Sequence, residues 1–277
     1  MQGLQSVHDT FSFSAIEPLV ATVKKHANDL LLVLVAFDGV LAEYGDDPVT
    51  VRLSSERREL LRRLIRQPGV ALGVLSGRRV QDLRERVGLG DDVFYVGLHG
   101  LEAVGPGFTR IERHLMDEFR DALHEIVSVL EPAISETEGA RLEDKEAAIA
   151  LHTRQADPGA AVWARFQMLN RAVDLLNTQV LRALRGNHVL ELVPNVGHAK
   201  AEAITAIREY LLRRDGRPVF TLYVGEDVSD DDAFEAIAGH GITAAVGRRG
   251  EQAHYRLPSI EVVEQLLAEL ATARGQD

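Results

Sequence analysis

The stretch Leu30-Leu31-Leu32-Val33-Leu34-Val35-Ala36-Phe37-Asp38-Gly39-Val40-Leu41 decides how the rest of the chain is read. Eight apolar residues in a row end at an acidic residue and a glycine. The run is far shorter than the ~20 apolar residues that span a bilayer, so it reads as a strand buried on both faces of a parallel sheet. Ligands of open α/β sheets bind beyond the carboxyl ends of the strands, which puts Asp38 and Gly39 at the edge where chemistry is expected.

Outward from this strand, apolar residues alternate between helical spacing and short continuous runs. Ile16, Leu19, Val20 and Val23 lead into it with a helical period, and Ser54-Ser55-Glu56 opens a helix running to about Arg66. Val70 to Leu75 is a second buried strand ending at Ser76-Gly77-Arg78, and a helix follows from Val80 to Val87. Val93 to Val96 is a third strand, ending at Gly97-Leu98-His99-Gly100. The same alternation returns after Pro194, with helices over Ala199–Arg214, Asp230–Ala238 and Ile260–Ala271 and strands over Val219–Val224 and Ile242–Val246. The pattern is that of a doubly wound parallel sheet.

Between Val104 and Val193 the pattern changes. A helix from about Glu112 to Leu130 precedes a strand at Ala147–Thr153, and Asp157-Pro158 caps a helix reaching about Asn177. Val180–Leu184 and His188–Val193 flank Gly186-Asn187 as a hairpin. The expected organisation is therefore a core domain of residues 1–103 and 194–277, interrupted by an inserted α/β cap domain of residues 104–193. The linker-like passages Gly105-Pro106-Gly107 and Pro194–Gly197 mark the crossings.

Composition narrows the function classes. The 277 residues are 45% hydrophobic, enough for a sizeable core, and 42 acidic residues against 31 basic give a net charge of −11. That balance argues against a general nucleic-acid or anionic-membrane surface, so a phosphorylated ligand needs a local positive site. No cysteine is present, which excludes disulfides and thiolate metal sites. No apolar run approaches membrane-spanning length and the N-terminus lacks signal-peptide order, so a cytoplasmic protein is expected.

Three groups of residues can carry chemistry. Gly225-Glu226-Asp227-Val228-Ser229-Asp230-Asp231-Asp232 follows a buried strand and places five carboxylates within seven residues. Such a cluster repels itself unless a cation joins it, and its hard oxygen ligands suit Mg²⁺. An acidic helix N-terminus accounts for Asp230–Asp232 but not for Glu226 and Asp227, which precede the helix. Ser76-Gly77 can present a hydroxyl and backbone N–H groups to an anion, although Ser-Gly after a strand is by itself most often a turn. Lys200, taken singly, reads as a solvated helix lysine.

Taken together these motifs resemble the haloacid dehalogenase (HAD) phosphatases, and within them the trehalose-6-phosphate phosphatases. Ala36-Phe37-Asp38-Gly39-Val40 is similar to the family's first motif, D-x-D-G-T/V, with Ala36 where the family has its nucleophilic Asp. Ser76-Gly77-Arg78, Gly97-Leu98-His99-Gly100-Leu101-Glu102, Lys200 and Gly225 to Phe234 follow in family order. The resemblance implies a HAD-like core with a cap, Asp38 as general acid and base, Lys200 as the neutralising lysine, and Ser76, Gly77, Arg78 and His99 around the phosphate. It implies Mg²⁺ held by Asp38 with Glu226, Asp227 or Asp230. In the cap it implies that Glu143, Lys145, Arg154 and Glu191 bind the sugar, since carboxylates accept and an ammonium donates hydrogen bonds to hydroxyls. Alternation along a strand points Glu143 and Lys145 to one face. The departures are Ala36, Glu226 where Asp is usual, Thr153 where Tyr is usual, and Ala199 and Ala201 on either side of Lys200.

The resulting expectation is a Mg²⁺-dependent phosphatase site for trehalose 6-phosphate, a small-molecule sugar phosphate, inactive as it stands because position 36 lacks its carboxylate. The alternatives are a pseudophosphatase that binds or senses a phosphorylated disaccharide, and a phosphatase for another disaccharide or pseudo-sugar phosphate.

Overall fold

The computed structural model describes residues 16–45, 47–112, 117–195, 197–226, 230–247 and 253–273. The chain divides into two compact units, Met1–Glu112 with His198–Asp277, and Arg113–Gly197.

The first unit is built on an eight-stranded sheet. Its strands are β1 (Leu30–Ala36), β2 (Val70–Leu75), β3 (Phe94–Gly97), β4 (Glu102–Gly105), β5 (Phe108–Glu112), β10 (Val219–Gly225), β11 (Gly241–Val246) and β12 (Tyr255–Leu257). They lie in the order β12-β11-β10-β1-β2-β3-β4-β5, with every pairing parallel except β3–β4 and β4–β5, which are antiparallel. The apolar run from Leu30 is thus an interior strand. Leu31, Val33 and Val35 join one apolar cluster with Leu61 and Leu64 of helix α2 (Ser55–Ile65) and Leu266 and Leu270 of α9 (Ile260–Ala273). Leu30, Leu32 and Leu34 join another with Ile204, Ile207 and Leu211 of α7 (Ala199–Asp215). Alternate side chains point to opposite faces, so a strand with helices on both sides must be apolar throughout.

Local signals set the helices. Ser54 caps α2, its Oγ accepting from the Arg57 N–H at 3.2 Å. Helix α3 (Val80–Val87) ends on Gly88 at φ +67°, a left-handed cap that glycine adopts without a Cβ penalty. Helix α1 covers residues 16–25, and α8 is Asp231–Ile237.

The sheet runs past the boundary expected at residue 103. Gly105-Pro106-Gly107 is a hairpin turn rather than a crossing, and β5 continues to Glu112. The helix expected from Glu112 is α4, Asp117–Ser135. Glycines flanking a proline read equally well as linker or turn, and the antiparallel pairing of Tyr95 with Val104 decides between them.

The second unit has a four-stranded antiparallel sheet in the order β6 (Arg141–Asp144), β7 (Ile149–His152), β9 (Val189–Pro194), β8 (Leu181–Arg185). Leu123, Ile126 and Leu130 of α4 and Ala164 and Met168 of α5 (Pro158–Arg171) cluster with Ile149, Leu151, Leu190 and Leu192. The helix expected to run unbroken to Asn177 is interrupted at Ala172, where φ −92° and ψ 4° leave the helical region before α6 (Val173–Asn177). The break lets Leu175 and Leu176 pack on the same core.

Candidate active site

The first unit gathers the candidate residues at the carboxyl ends of β1, β2 and β10. Phe37 N–H donates to Leu75 O at 2.9 Å, and Leu41 and Ala42 both donate back to Phe37 O, so the chain folds into a tight loop directly after β1. Gly39 lies in that loop at φ +76°, and a Cβ there would overlap the Glu226 carboxylate and crowd the Tyr44 ring. Asp38 and Ala36 are half-buried on either side of the buried Phe37.

Asp38 is held from two sides. Arg78 grips both carboxylate oxygens, Nε to Oδ2 at 3.0 Å and Nη2 to Oδ1 at 2.8 Å, the bidentate geometry that makes arginine–carboxylate pairs strong. Ser76 Oγ donates to Oδ2 at 3.2 Å and accepts from the Arg78 N–H at 3.1 Å. The guanidinium is itself anchored, with Nη1 donating to Pro48 O at 3.1 Å and its centre 5.7 Å from the Phe37 ring centroid. Arg86, which the sequence did not single out, is buried and donates through Nη1 to the carbonyls of Pro48, Val49 and Val51, fixing the loop on which Arg78 rests.

His99 takes φ +54° in a 3-10 turn and donates its N–H to Ser76 O at 3.3 Å, which ties it by backbone to the Ser76 loop. At Gly100 an added Cβ would overlap the backbone of Ala199 and Lys200, so this turn seats directly on the first turn of α7. Lys200 Nζ donates to Asp230 Oδ1 at 2.7 Å, and both side chains are buried. Tyr223 Oη donates to the same oxygen and Glu226 N–H donates to Asp230 Oδ2 at 2.9 Å. Burial alone would raise the Asp230 carboxyl, but the Lys200 ammonium and these donors hold it below the usual carboxylate range. Burial and the neighbouring Asp230 charge push the Tyr223 hydroxyl well above its ordinary value.

Glu226 accepts from Tyr44 Oη. Asp227 lies outside the described residues. HAD phosphatases generally depend on a metal ion, so the donor set can be tested against one. The side chain of Ala36 has no oxygen, both carboxylate oxygens of Asp38 are taken by a cation, and Asp230 is spent on Lys200, Tyr223 and a backbone N–H. Among the described residues no group of three His, Cys, Asp or Glu is arranged to hold a metal ion. The described residues therefore do not fit the expected ion.

In the second unit, Glu143 pairs with Ala150 across β6–β7, and Ala150 with Glu191 across β7–β9. That row lies opposite the helix-packed row of Ile149 and Leu192. Lys145 Nζ donates to Glu191 Oε1 at 2.7 Å, and both are nearly buried. Glu143 Oε2 lies 2.7 Å from His152 Nε2. Arg154 Nη2 donates to Asn187 O at 3.3 Å. At the position where tyrosine is usual, Thr153 accepts from Arg165 at 2.7 Å.

Burial raises the Glu143 carboxyl, but the His152 hydrogen bond and the charges of Lys145, His152 and Arg141 outweigh it and hold the group at about 2. A carboxyl depressed on folding stabilises above its unfolded pKa and loses that contribution as pH falls through the folded value. Stability of the second unit is accordingly expected to fall between about pH 4.5 and pH 2. Glu143→Gln should flatten that acid limb in circular-dichroism melts across the range. An unchanged limb would show that Glu143 does not carry it.

A mixed sheet with a Ser, a Lys and an Asp-Gly loop at the carboxyl ends of its parallel strands has the fold of the HAD phosphatases. The C-terminal domain of Candida albicans trehalose-6-phosphate phosphatase superposes with a TM-score of 0.76 at 20% identity, over 92% of this chain and 96% of that one. The trehalose-phosphatase family model matches residues 34–259, and the chain belongs to that family. It is 33% identical over 248 residues to an uncharacterized glycosyl hydrolase of Mycobacterium tuberculosis, a match covering 86% of this chain and 18% of that protein. It is 29% identical over 243 residues to the trehalose-phosphate phosphatase of the same organism, covering 85% of this chain and 60% of that protein. The chain thus spans less than two thirds of the length of these curated relatives.

Proposed function

We propose that the chain binds trehalose 6-phosphate at a phosphatase site and, with Ala36 in the nucleophile position, holds the ester without cleaving it. The observation that carries this reading is the contrast within one site. Ser76, Arg78 and Lys200 are each locked in place by hydrogen bonds, while the methyl of Ala36 offers nothing that can attack phosphorus. Asp38 stands as the general acid and base that would serve the leaving sugar oxygen, with Ser76, Gly77, Arg78 and His99 around the phosphate. The second unit acts as the cap, and Glu143, Lys145, Arg154 and Glu191 supply hydrogen bonds to the sugar hydroxyls. The net charge of −11 and the absence, among the described residues, of a helix able to cross a membrane accord with a small-molecule ligand and a cytoplasmic setting.

Calorimetry with trehalose 6-phosphate, trehalose and inorganic phosphate tests the reading. The phosphorylated disaccharide should bind most tightly, and Lys145→Ala should weaken it by about tenfold or more, because the sugar hydroxyls lose a charged donor. Absence of binding, or rapid phosphate release by the chain as it stands, would overturn the reading.

A further inference from the structure

We infer that Arg78 stands where a divalent cation would stand beside Asp38, so that this chain holds its phosphate ester with a guanidinium and without a metal ion. The inference deepens the proposed function, on which its ligand half rests. A metal in such a site has two tasks: it neutralises the carboxylates crowded at the strand ends, and it supplies positive charge to the phosphate. Arg78 already performs the first for Asp38 through two hydrogen bonds of 2.8 and 3.0 Å. Lys200 performs it for Asp230 at 2.7 Å. Ala36 removes a further carboxylate from the need for compensation.

Among the described residues, Glu226 is placed for a different partner. Glu226 reaches one methylene farther than an aspartate, lies against Gly39 where no Cβ could fit, and accepts the Tyr44 hydroxyl. Mg²⁺ demands near-ideal octahedral oxygen geometry and usually takes one or two carboxylates directly. Here a dication entering beside Asp38 would meet a guanidinium anchored by the Pro48 carbonyl and the face of Phe37. Like-charge repulsion at that range opposes it, whereas a phosphate is attracted. Arginine keeps its charge at every accessible pH, so the substitute is permanent.

Two measurements on the full chain test this. The first titrates Mn²⁺ and follows free ion by electron paramagnetic resonance. The chain should leave Mn²⁺ free at submillimolar concentrations, and Arg78→Met, which releases the Asp38 carboxylate, should bind it about tenfold more tightly or better. Stoichiometric submillimolar uptake by the unaltered chain overturns the inference, whether or not the variant folds. The second is calorimetry of trehalose 6-phosphate in chelator and in millimolar Mg²⁺. Affinities should agree within about twofold, and a tenfold gain with Mg²⁺ overturns the inference. If neither buffer shows binding while Mn²⁺ stays free, the sugar-phosphate reading fails and the exclusion of the metal stands.

Discussion

Replacing Ala36 by aspartate is expected to raise phosphate release from trehalose 6-phosphate, assayed with Mg²⁺, from below detection by at least about a thousandfold. Loss of a catalytic nucleophile elsewhere costs on the order of a million-fold in turnover, and one restored side chain beside the placed Ser76, Arg78 and Lys200 should recover part of that. Residue 36 ends β1, pairs in register with Leu75, and is half-buried rather than packed shut, so the longer side chain has somewhere to go. The added carboxylate also gives the site an oxygen donor that it lacks now. Arg78 still grips Asp38 in Ala36→Asp, so Mn²⁺ uptake should stay weak there and rise only when Arg78→Met is added. A variant that binds the ester and remains silent would show that Glu226 and the Arg78 grip on Asp38 have converted the site to binding alone.

Lys200→Met should destabilise the protein by about 3–5 kcal/mol, because it leaves a buried carboxylate without its counter-charge. The loss should appear as a lower denaturation midpoint with an unchanged slope. A Lys200→Met, Asp230→Leu pair should recover part of it, since removing both charges removes the desolvation penalty along with the attraction. A single-variant loss below about 1 kcal/mol would mean that water reaches Asp230 and that the pair does little for the fold.

The sequence made the central strands and their order of appearance readable for a physical reason. Val33 and Leu34 face opposite helical layers, so no polar residue interrupts the run. The same holds for Val70–Leu75, and in Val219–Gly225 only Thr221 and the Tyr223 hydroxyl depart from it. Strands that lack this constraint were not readable. β12 has three residues, and β4 and β5 mix Glu102, Thr109 and Arg110 with apolar positions around a Gly-Pro-Gly turn. In the candidate site, residue identities could be read one motif at a time, and Glu143 lies in a row with Ala150 and Glu191, to which Lys145 Nζ donates. Side-chain pairings could not be read. Arg78 was expected at the phosphate and grips Asp38, forty positions earlier. Tyr44 and Arg86 carried no signal at all, because a single tyrosine or arginine in a loop or helix says nothing about which distant group it meets.

The first unit is assembled from two chain segments separated by the whole of the second. Its central pairing, Leu30 with Val219, joins residues about 190 positions apart. During synthesis at about 5–20 residues per second, β1 therefore leaves the ribosome roughly ten to forty seconds before β10 exists. Through that interval its hydrogen-bonding edge toward β10 has no partner, and its neighbour on the other side, β2, can cover only the other edge. The second unit is continuous in sequence and can complete its own core first. Vectorial production thus favours an order in which the inserted unit matures while the enclosing sheet waits, and it marks Leu30–Ala36 as the segment most in need of a chaperone in the nascent chain.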